Sequence, residues 1–220
     1  MTTPVDTQKT STAKTRVRDA EATKARILDS AKKEFARNGL GGARVDVIAE
    51  RAKANKRMIH HYFSTKEVLF QTVLEKACIA IRTAEQKLQL DHLEPKEALE
   101  KLVRFTWDYY LKNSEFLTLV NSENLHRASH LKKSEVVKKA CSRRFIAMAE
   151  GILPRGVAAG VFRPFIDPVQ LDLTIAATGC CYLANRFNGS ILFERDLMTK
   201  DALEERLRFN IDAILKLVVA

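Results

Sequence analysis

Glycine and proline are scarce in this chain, 8 and 5 residues in 220, and no stretch keeps strict period-2 alternation for long. That excludes a sheet-dominated architecture and leaves a mostly helical one. No apolar run approaches 18 residues and no signal-peptide pattern is present, so neither a membrane span nor secretion is expected. Cysteine is limited to Cys78, Cys141, Cys180 and Cys181, with no C-x-x-C spacing. Each lies in an apolar helical pattern, which reads as reduced thiols in a cytoplasmic core; a sensor at the vicinal Cys180–Cys181 pair is the alternative. Phosphate-loop, zinc-protease and nucleophile-elbow motifs are absent. The adjacent His60 and His61 diverge by about 100° on a helix, too far to share a metal. His126 and His130 have i, i+4 spacing but no third ligand. No cofactor, no metal and no catalytic set is expected.

What is present is charge, unevenly spread. The formal net charge is +10, and residues 1–66, with 15 Lys/Arg against 7 Asp/Glu, carry +8 of it. A basic N-terminal third on a nearly neutral remainder is the pattern of a module that meets a polyanion, with a second domain doing something else. Residues 1–19 are rich in Thr, Ser and Lys and are expected to be a disordered basic tail. From Ala20 to Asn38, Ile27, Leu28, Ala31 and Phe35 share one helical face, and Gly39 supplies the stop.

Val45 to Phe63 reads as two short helices with a tight corner at Lys53-Ala54-Asn55. Val45, Ile48, Ala49 and Ala52 form one apolar stripe, and Met58, Ile59, Tyr62 and Phe63 a second. Asn55 is the expected N-cap of the second helix, which opens with Lys56 and Arg57. Helices this short need a support, which the preceding helix provides. The arrangement fits a helix that enters a DNA major groove, and also an ordinary helical corner with a solvated basic face. Residues 20–66 therefore form a three-helix unit, and residues 67–220 a second helical domain.

Ser64 and Glu67 match a capping box, which starts a helix expected to reach Leu90. Further helices follow from Pro95, from Phe116 to Leu125, from Ser134 to about Gly160, from Pro168 to about Asn188, and from Thr199 or Lys200 to Val219. Cys141 and Phe145 are expected to face inward. Pro154 should kink or interrupt the fourth of these six helices. The Pro168 helix is apolar nearly all round, so it needs cover on more than one side; another copy of the chain would supply it. A charge at Leu183 would then yield monomers. Trp107, Tyr110, Phe116, Asn121, Asn124, His126 and Arg127 mix aromatic and hydrogen-bonding groups in consecutive helices, as a small-organic-ligand pocket needs. The aromatic residues read equally as core.

The chain resembles the TetR family of bacterial transcriptional regulators from Arg26 to Leu69. The resemblance rests on the support helix RILDSAKKEFARNG, on IAERA, and on NKRMIHHYFSTKEVLF. Residues 115–131 and 156–168 look similar to a branch that includes regulators of nucleobase and aromatic-compound catabolism. The resemblance implies that Arg44, Lys56, Arg57, His60, His61, Tyr62 and Lys66 face DNA. Lys56, Arg57 and His60 stand where base edges are in reach, and Arg44, His61, Tyr62 and Lys66 where phosphates are. The chain departs from the family at Lys53, where Gly is usual, at Ala54, where Val is, at Arg44, often Ser or Thr, and at His60, often Tyr.

These readings together give an all-α protein with an N-terminal helix-turn-helix DNA-binding domain and a C-terminal helical domain for effector binding and dimerisation. The expected function is a cytoplasmic, ligand-responsive regulator of transcription, not an enzyme, most often a repressor. Its expected partners are a double-stranded DNA operator, a second copy of itself and a small organic effector. The alternatives are a helical ligand-binding or enzymatic protein that carries a basic module, and an effector-free DNA binder.

Overall fold

The computed structural model describes residues 8–141 and 146–220. Eleven α-helices lie among them: α1 (Gln8–Gly42), α2 (Val45–Arg51), α3 (Lys56–Phe63), α4 (Lys66–Glu85), α5 (Pro95–Lys112), α6 (Ser114–Leu125), α7 (Glu135–Cys141), α8 (Ala147–Ala158), α9 (Pro168–Ala184), α10 (Arg186–Leu192) and α11 (Lys200–Val218). The one strand-like feature described is an isolated antiparallel bridge between Phe162 and Val219. No helix among the described residues is long and apolar enough to cross a membrane.

The chain divides into two compact units, one ending at Leu74 and the other starting at Glu75. That boundary falls inside α4. The expected tail differs too, because α1 begins at Gln8 and residues 8–19 are helical. Low hydrophobicity favours disorder there, but nothing between Gln8 and Ala20 breaks a helix, and Ala, Lys and Arg propagate one. Residues 1–7 lie outside the described residues.

In the N-terminal unit, Ile27, Ala31 and Phe35 of α1 are fully buried against Ile48 of α2, Ile59 and Phe63 of α3, and Leu69 and Phe70 of α4. The Phe35 and Phe70 rings meet edge to face at 5.1 Å. Gly39 breaks the α1 run with φ 65° and ψ 179°, a conformation that glycine adopts without steric cost. Asn55 caps α3 as expected, its Oδ1 accepting from the Arg57 N–H at 2.9 Å.

The cap of α4 is one residue later than the capping box implied. Ser64 takes φ 58°, outside the helical region, and the Thr65 hydroxyl accepts from the Val68 N–H at 3.3 Å. The cause is the tight α3–α4 turn. The Ser64 N–H still bonds to the His60 carbonyl at 2.9 Å, which closes α3 through Ser64 and leaves Thr65 as the first residue free to cap.

In the C-terminal unit, α5 packs against α8, α9 and α11. Leu99, Leu102 and Val103 of α5, Ile152 of α8, Leu171 and Ile175 of α9, and Ile214 and Val218 of α11 share one core cluster. Arg155 of α8 ties in the α4–α5 connection by donating to the carbonyls of Leu90, Asp91 and Leu93 at 2.8–3.0 Å. α4 ends at Glu85 instead of Leu90, and a 3₁₀ turn at Leu90–His92 follows. Pro154 lies inside α8 without ending it. It is exposed, so the Glu150 carbonyl that it cannot serve has access to water. The helix expected to run to Asn188 stops at Ala184, and Asn185, with φ −96° and ψ 10°, hands over to α10. Cys181 is exposed and not core, while Cys78 and Cys180 are half-buried and not joined in a disulfide. Phe145 and the side chain of Cys141 lie outside the described residues.

Candidate nucleic-acid interface and effector region

α3 buries Ile59 and Phe63 and leaves Lys56, Arg57, His60 and His61 exposed. An eight-residue helix with one stripe committed to the core can turn only its other faces outward, and here those carry the cations. The seven residues expected to face DNA are not equivalent. The Arg57 side chain makes no hydrogen bond or ion pair among the described residues. Lys56 is engaged, with its Nζ 2.8 Å from the Asp46 carboxylate of α2. The Lys56 hydrogen bond and charge, and to a lesser degree Arg44, hold the exposed Asp46 carboxyl below the usual carboxylate range.

The His60 Nδ1 lies 3.1 Å from the Ser64 carbonyl, a bond that requires the proton on Nδ1 and leaves Nε2 for another partner. His61 is exposed and its ring meets half-buried Tyr62 edge to face at 5.3 Å. Arg44 is exposed and precedes α2 without capping it through its side chain. Lys66 differs most from the expected phosphate role. Its ammonium donates to the Gly41 and Ala43 carbonyls at 3.4 and 3.3 Å, bracing the α1–α2 corner.

Sequence reasoning missed the residues that aim this surface. Glu34 is 2% exposed and collects three donors. Arg51 Nη1 and Asn38 Nδ2 reach it at 2.8 Å, and the Arg44 N–H at 3.3 Å. It thereby fixes both ends of α2 against α1. Arg26 adds a bond from Nε to the Ala52 carbonyl at 3.1 Å, at the C-terminus of α2. Glu34 borders the apolar face of α1, at i+7 from Ile27 and i+3 from Ala31, and local spacing carries no sign of the donors that distant Arg51 and Arg44 bring to it.

The seven residues expected to line an effector pocket separate into two groups. Trp107 and Tyr110 are buried in a cluster with Ile81, Leu117 and Leu183, and half-buried Phe116 packs on it. The Tyr110 and Phe116 rings stack at 6.1 Å. Asn121, Asn124, His126 and Arg127 are exposed and do not join the aromatic residues. The reason is helical phase: Leu119, Ser122 and Glu123 form the buried face in the second half of α6, opposite Asn121 and Asn124, and α6 ends at Leu125 before His126 and Arg127. His126 and His130 are neighbours with rings 5.8 Å apart, but the His130 Nδ1 is 2.7 Å from buried Glu123. No group of three metal-ligating side chains occurs among the described residues.

A different polar cluster occupies the interior. Arg82 and Glu85 of α4 are 7 and 8% exposed and pair at 2.6 Å. Burial pushes the Glu85 carboxyl up to about 7, with Arg82 opposing and the Asp172 charge adding to the rise. Asp172 of α9 is also raised by burial, against the pull of Arg82. Burial and the Glu85 charge raise Tyr109. Tyr109 also lines a cleft of about 290 Å³ with Leu88, Lys101, Arg104, Phe105, Asp108, Lys112 and Asn113.

A capped, cation-bearing second helix braced on two others is the fold of a helix-turn-helix DNA-binding protein, and a separate helical unit follows it. The model described as "Bacterial regulatory proteins, tetR family" matches residues 27–73, and that described as "Tetracyclin repressor-like, C-terminal domain" matches residues 95–214. The HTH-type transcriptional repressor NicS of Pseudomonas putida is 38% identical over 201 residues, 91% of this chain and 94% of that protein. The HTH-type transcriptional repressor SCO4008 of Streptomyces coelicolor is 34% identical over 140 residues, 64% and 69% of the two chains. Among solved structures, the hemolysin II transcriptional regulator HlyIIR has a TM-score of 0.58 at 22% identity, over 91% of this chain and 99% of that one. A structure titled as the molecular basis for control of antibiotic production by a bacterial hormone has a TM-score of 0.62 at 21% identity, over 90% and 98%. The chain belongs to the TetR family of bacterial regulatory proteins and is a DNA-binding regulator of transcription.

Proposed function

We propose that this protein is a cytoplasmic repressor that binds a double-stranded operator as a homodimer and releases it when a small organic effector occupies the C-terminal unit. The observation that carries this reading is the outward face of α3, where Arg57 is held by the Asn55 cap with its guanidinium uncommitted beside Lys56 and His60. Repression is supported by the relative from Pseudomonas putida, which is named a repressor. Dimerisation is supported by apolar surface that α9–α11 leave exposed: Val169, Leu173, Phe187, Ile191 and Phe209. A monomer rarely leaves so much large apolar surface in water. Effector control would act through α4. Its last turn holds the buried Arg82–Glu85 pair, and its first residue, Lys66, braces the α1–α2 corner.

Selection from a random-sequence duplex pool, followed by titration of the selected duplex, tests the reading. The purified protein is expected to enrich a two-half-site sequence and to lose affinity steeply with salt, as phosphate neutralisation requires. Arg57→Ala should weaken the selected duplex about tenfold or more and relax preference at one base pair per half-site. Equal affinity of wild type and variant for selected and random duplexes would refute the assignment.

A further inference from the structure

The outward face of α3 carries two kinds of hydrogen-bonding group. Lys56 and Arg57 can only donate, because an ammonium and a guanidinium have no lone pair to offer. His60 differs, and its own backbone decides how. A carbonyl oxygen accepts and never donates, so the 3.1 Å contact between His60 Nδ1 and the Ser64 carbonyl puts the ring proton on Nδ1. The carbonyl is open to the imidazole because Ser64, at φ 58° and ψ −61°, has left the helical conformation. The Val68 N–H, which would otherwise donate to it, donates to the Thr65 hydroxyl. In the neutral ring Nε2 then holds a lone pair and no proton. Nε2 makes no hydrogen bond among the described residues, and His60 is exposed.

The major groove answers such an acceptor in only two ways. Adenine N6 and cytosine N4 present amino donors there, whereas guanine N7 and O6 and thymine O4 are acceptors. A lone pair aimed at guanine or thymine sets two acceptors against each other. Every base pair has its amino group on one strand and its keto oxygen on the other, so the choice is also a choice of strand. Arg57 and His60 are three residues apart on α3, which puts them on one face about 4.5 Å apart along the axis. One base-pair step is about 3.4 Å, so the two side chains reach the same or adjacent pairs.

We propose that His60 reads an amino group: at one position in each half-site the duplex presents adenine or cytosine on a given strand, and guanine or thymine there is rejected. Arg57 makes the opposite demand beside it, for acceptors such as those of guanine. The inference rests on the DNA-reading assignment of α3 above and names what this residue selects.

The test uses the selected duplex and its single-base variants with the full-length protein. Titrations at pH 8 keep an imidazole neutral. His60→Ala, at an exposed position, should relax preference at one base pair per half-site, and that position should carry adenine or cytosine on one strand. The amine is then removed there, by exchanging adenine for purine or cytosine for 2-pyrimidinone. Wild type should lose about three- to tenfold in affinity, the worth of one hydrogen bond. His60→Ala should show no such loss, and it controls for the weaker base pairing of the altered duplex. His60→Lys, a donor in the same place, should move the preference to guanine or thymine. The inference is overturned if amine removal weakens wild type and His60→Ala alike at every position. It is also overturned if His60→Ala relaxes no position, or relaxes one where the wild type prefers guanine or thymine on both probed strands' equivalent of that contact. In each case a base pair relaxed by Arg57→Ala leaves the DNA-reading assignment standing, whereas a protein that enriches no duplex refutes both.

Discussion

At the level of single residues, the recognition corner carries a strain that its sequence chose not to avoid. Lys53 sits at φ 50° between α2 and α3, in the left-handed region where a side chain costs about 1 kcal/mol. The TetR resemblance had marked this position as one where glycine is usual. The geometry shows why: the Lys53 N–H bonds to the Glu50 carbonyl and the Ala54 N–H to the Ala49 carbonyl, both at 3.0 Å, which closes the turn only with positive φ. Lys53→Gly should stabilise the N-terminal unit by roughly 0.5–1 kcal/mol, relief of strain outweighing the extra freedom of the unfolded chain. Urea denaturation measures this, and an unchanged or lower midpoint would show that the lysine is not strained.

At the level of helices, the buried Arg82–Glu85 pair makes α4 sensitive to pH. The Glu85 carboxyl is raised from 4.5 to about 7, so the folded protein holds its proton more tightly than the unfolded chain. The contribution of this group to stability is complete below about 4.5, declines as pH rises through about 7, and is level above that. It is worth up to about 3 kcal/mol. Arg82, Asp172, Tyr109, Tyr110, Cys78 and Cys180 surround this site, and the carboxyl of Asp172 moves in the same direction. Glu85→Gln, which cannot ionise, should flatten the melting temperature between pH 5 and pH 8; an equally steep profile would remove Glu85 as its source.

Such a site was invisible in the sequence, since i, i+3 charges such as Arg82 and Glu85 on a long helix are ordinarily solvated. Apolar spacing showed the α1, α2 and α3 stripes, and Asn55 showed a cap, because these depend on neighbours a few residues away. Glu34 and Asp172 depend on distant segments, Arg51 and Arg82, which no local pattern joins. Composition also grouped Asn121, Asn124 and His126 with Trp107 and Tyr110, and helical phase separates them.

At the level of the molecule, the apolar surface of α9–α11 decides how the assembly should respond to mutation. Leu183, where a charge was expected to yield monomers, is 3% exposed inside its own unit, so Leu183→Asp would unfold that unit. Leu173, 57% exposed on the same helix, is the informative position. Leu173→Asp should leave the helical content intact and convert dimers to monomers in sedimentation velocity; a dimer of unchanged affinity would place the interface elsewhere. Loss of the dimer should also cost most of the operator affinity, since two half-sites would no longer be held at fixed spacing.

If α3 reads DNA as proposed, the Lys56–Asp46 pair is a stand-in for its target. A carboxylate rests 2.8 Å from the Lys56 ammonium of α3, and on the proposed reading a phosphate or a guanine edge would take its place. If Lys56 contacts DNA as proposed, each duplex would have to displace this internal anion. A poorly matched sequence offers too little in return, and a well-matched one makes up the difference through Arg57 and its neighbours. On that reading Asp46 would discriminate between duplexes through Lys56. Asp46→Asn should tighten binding to random duplex more than to the selected one, so discrimination falls even as overall affinity rises. Competition titrations with both duplexes measure that ratio directly, and a ratio equal to that of the wild type would leave Asp46 as a surface charge and nothing more.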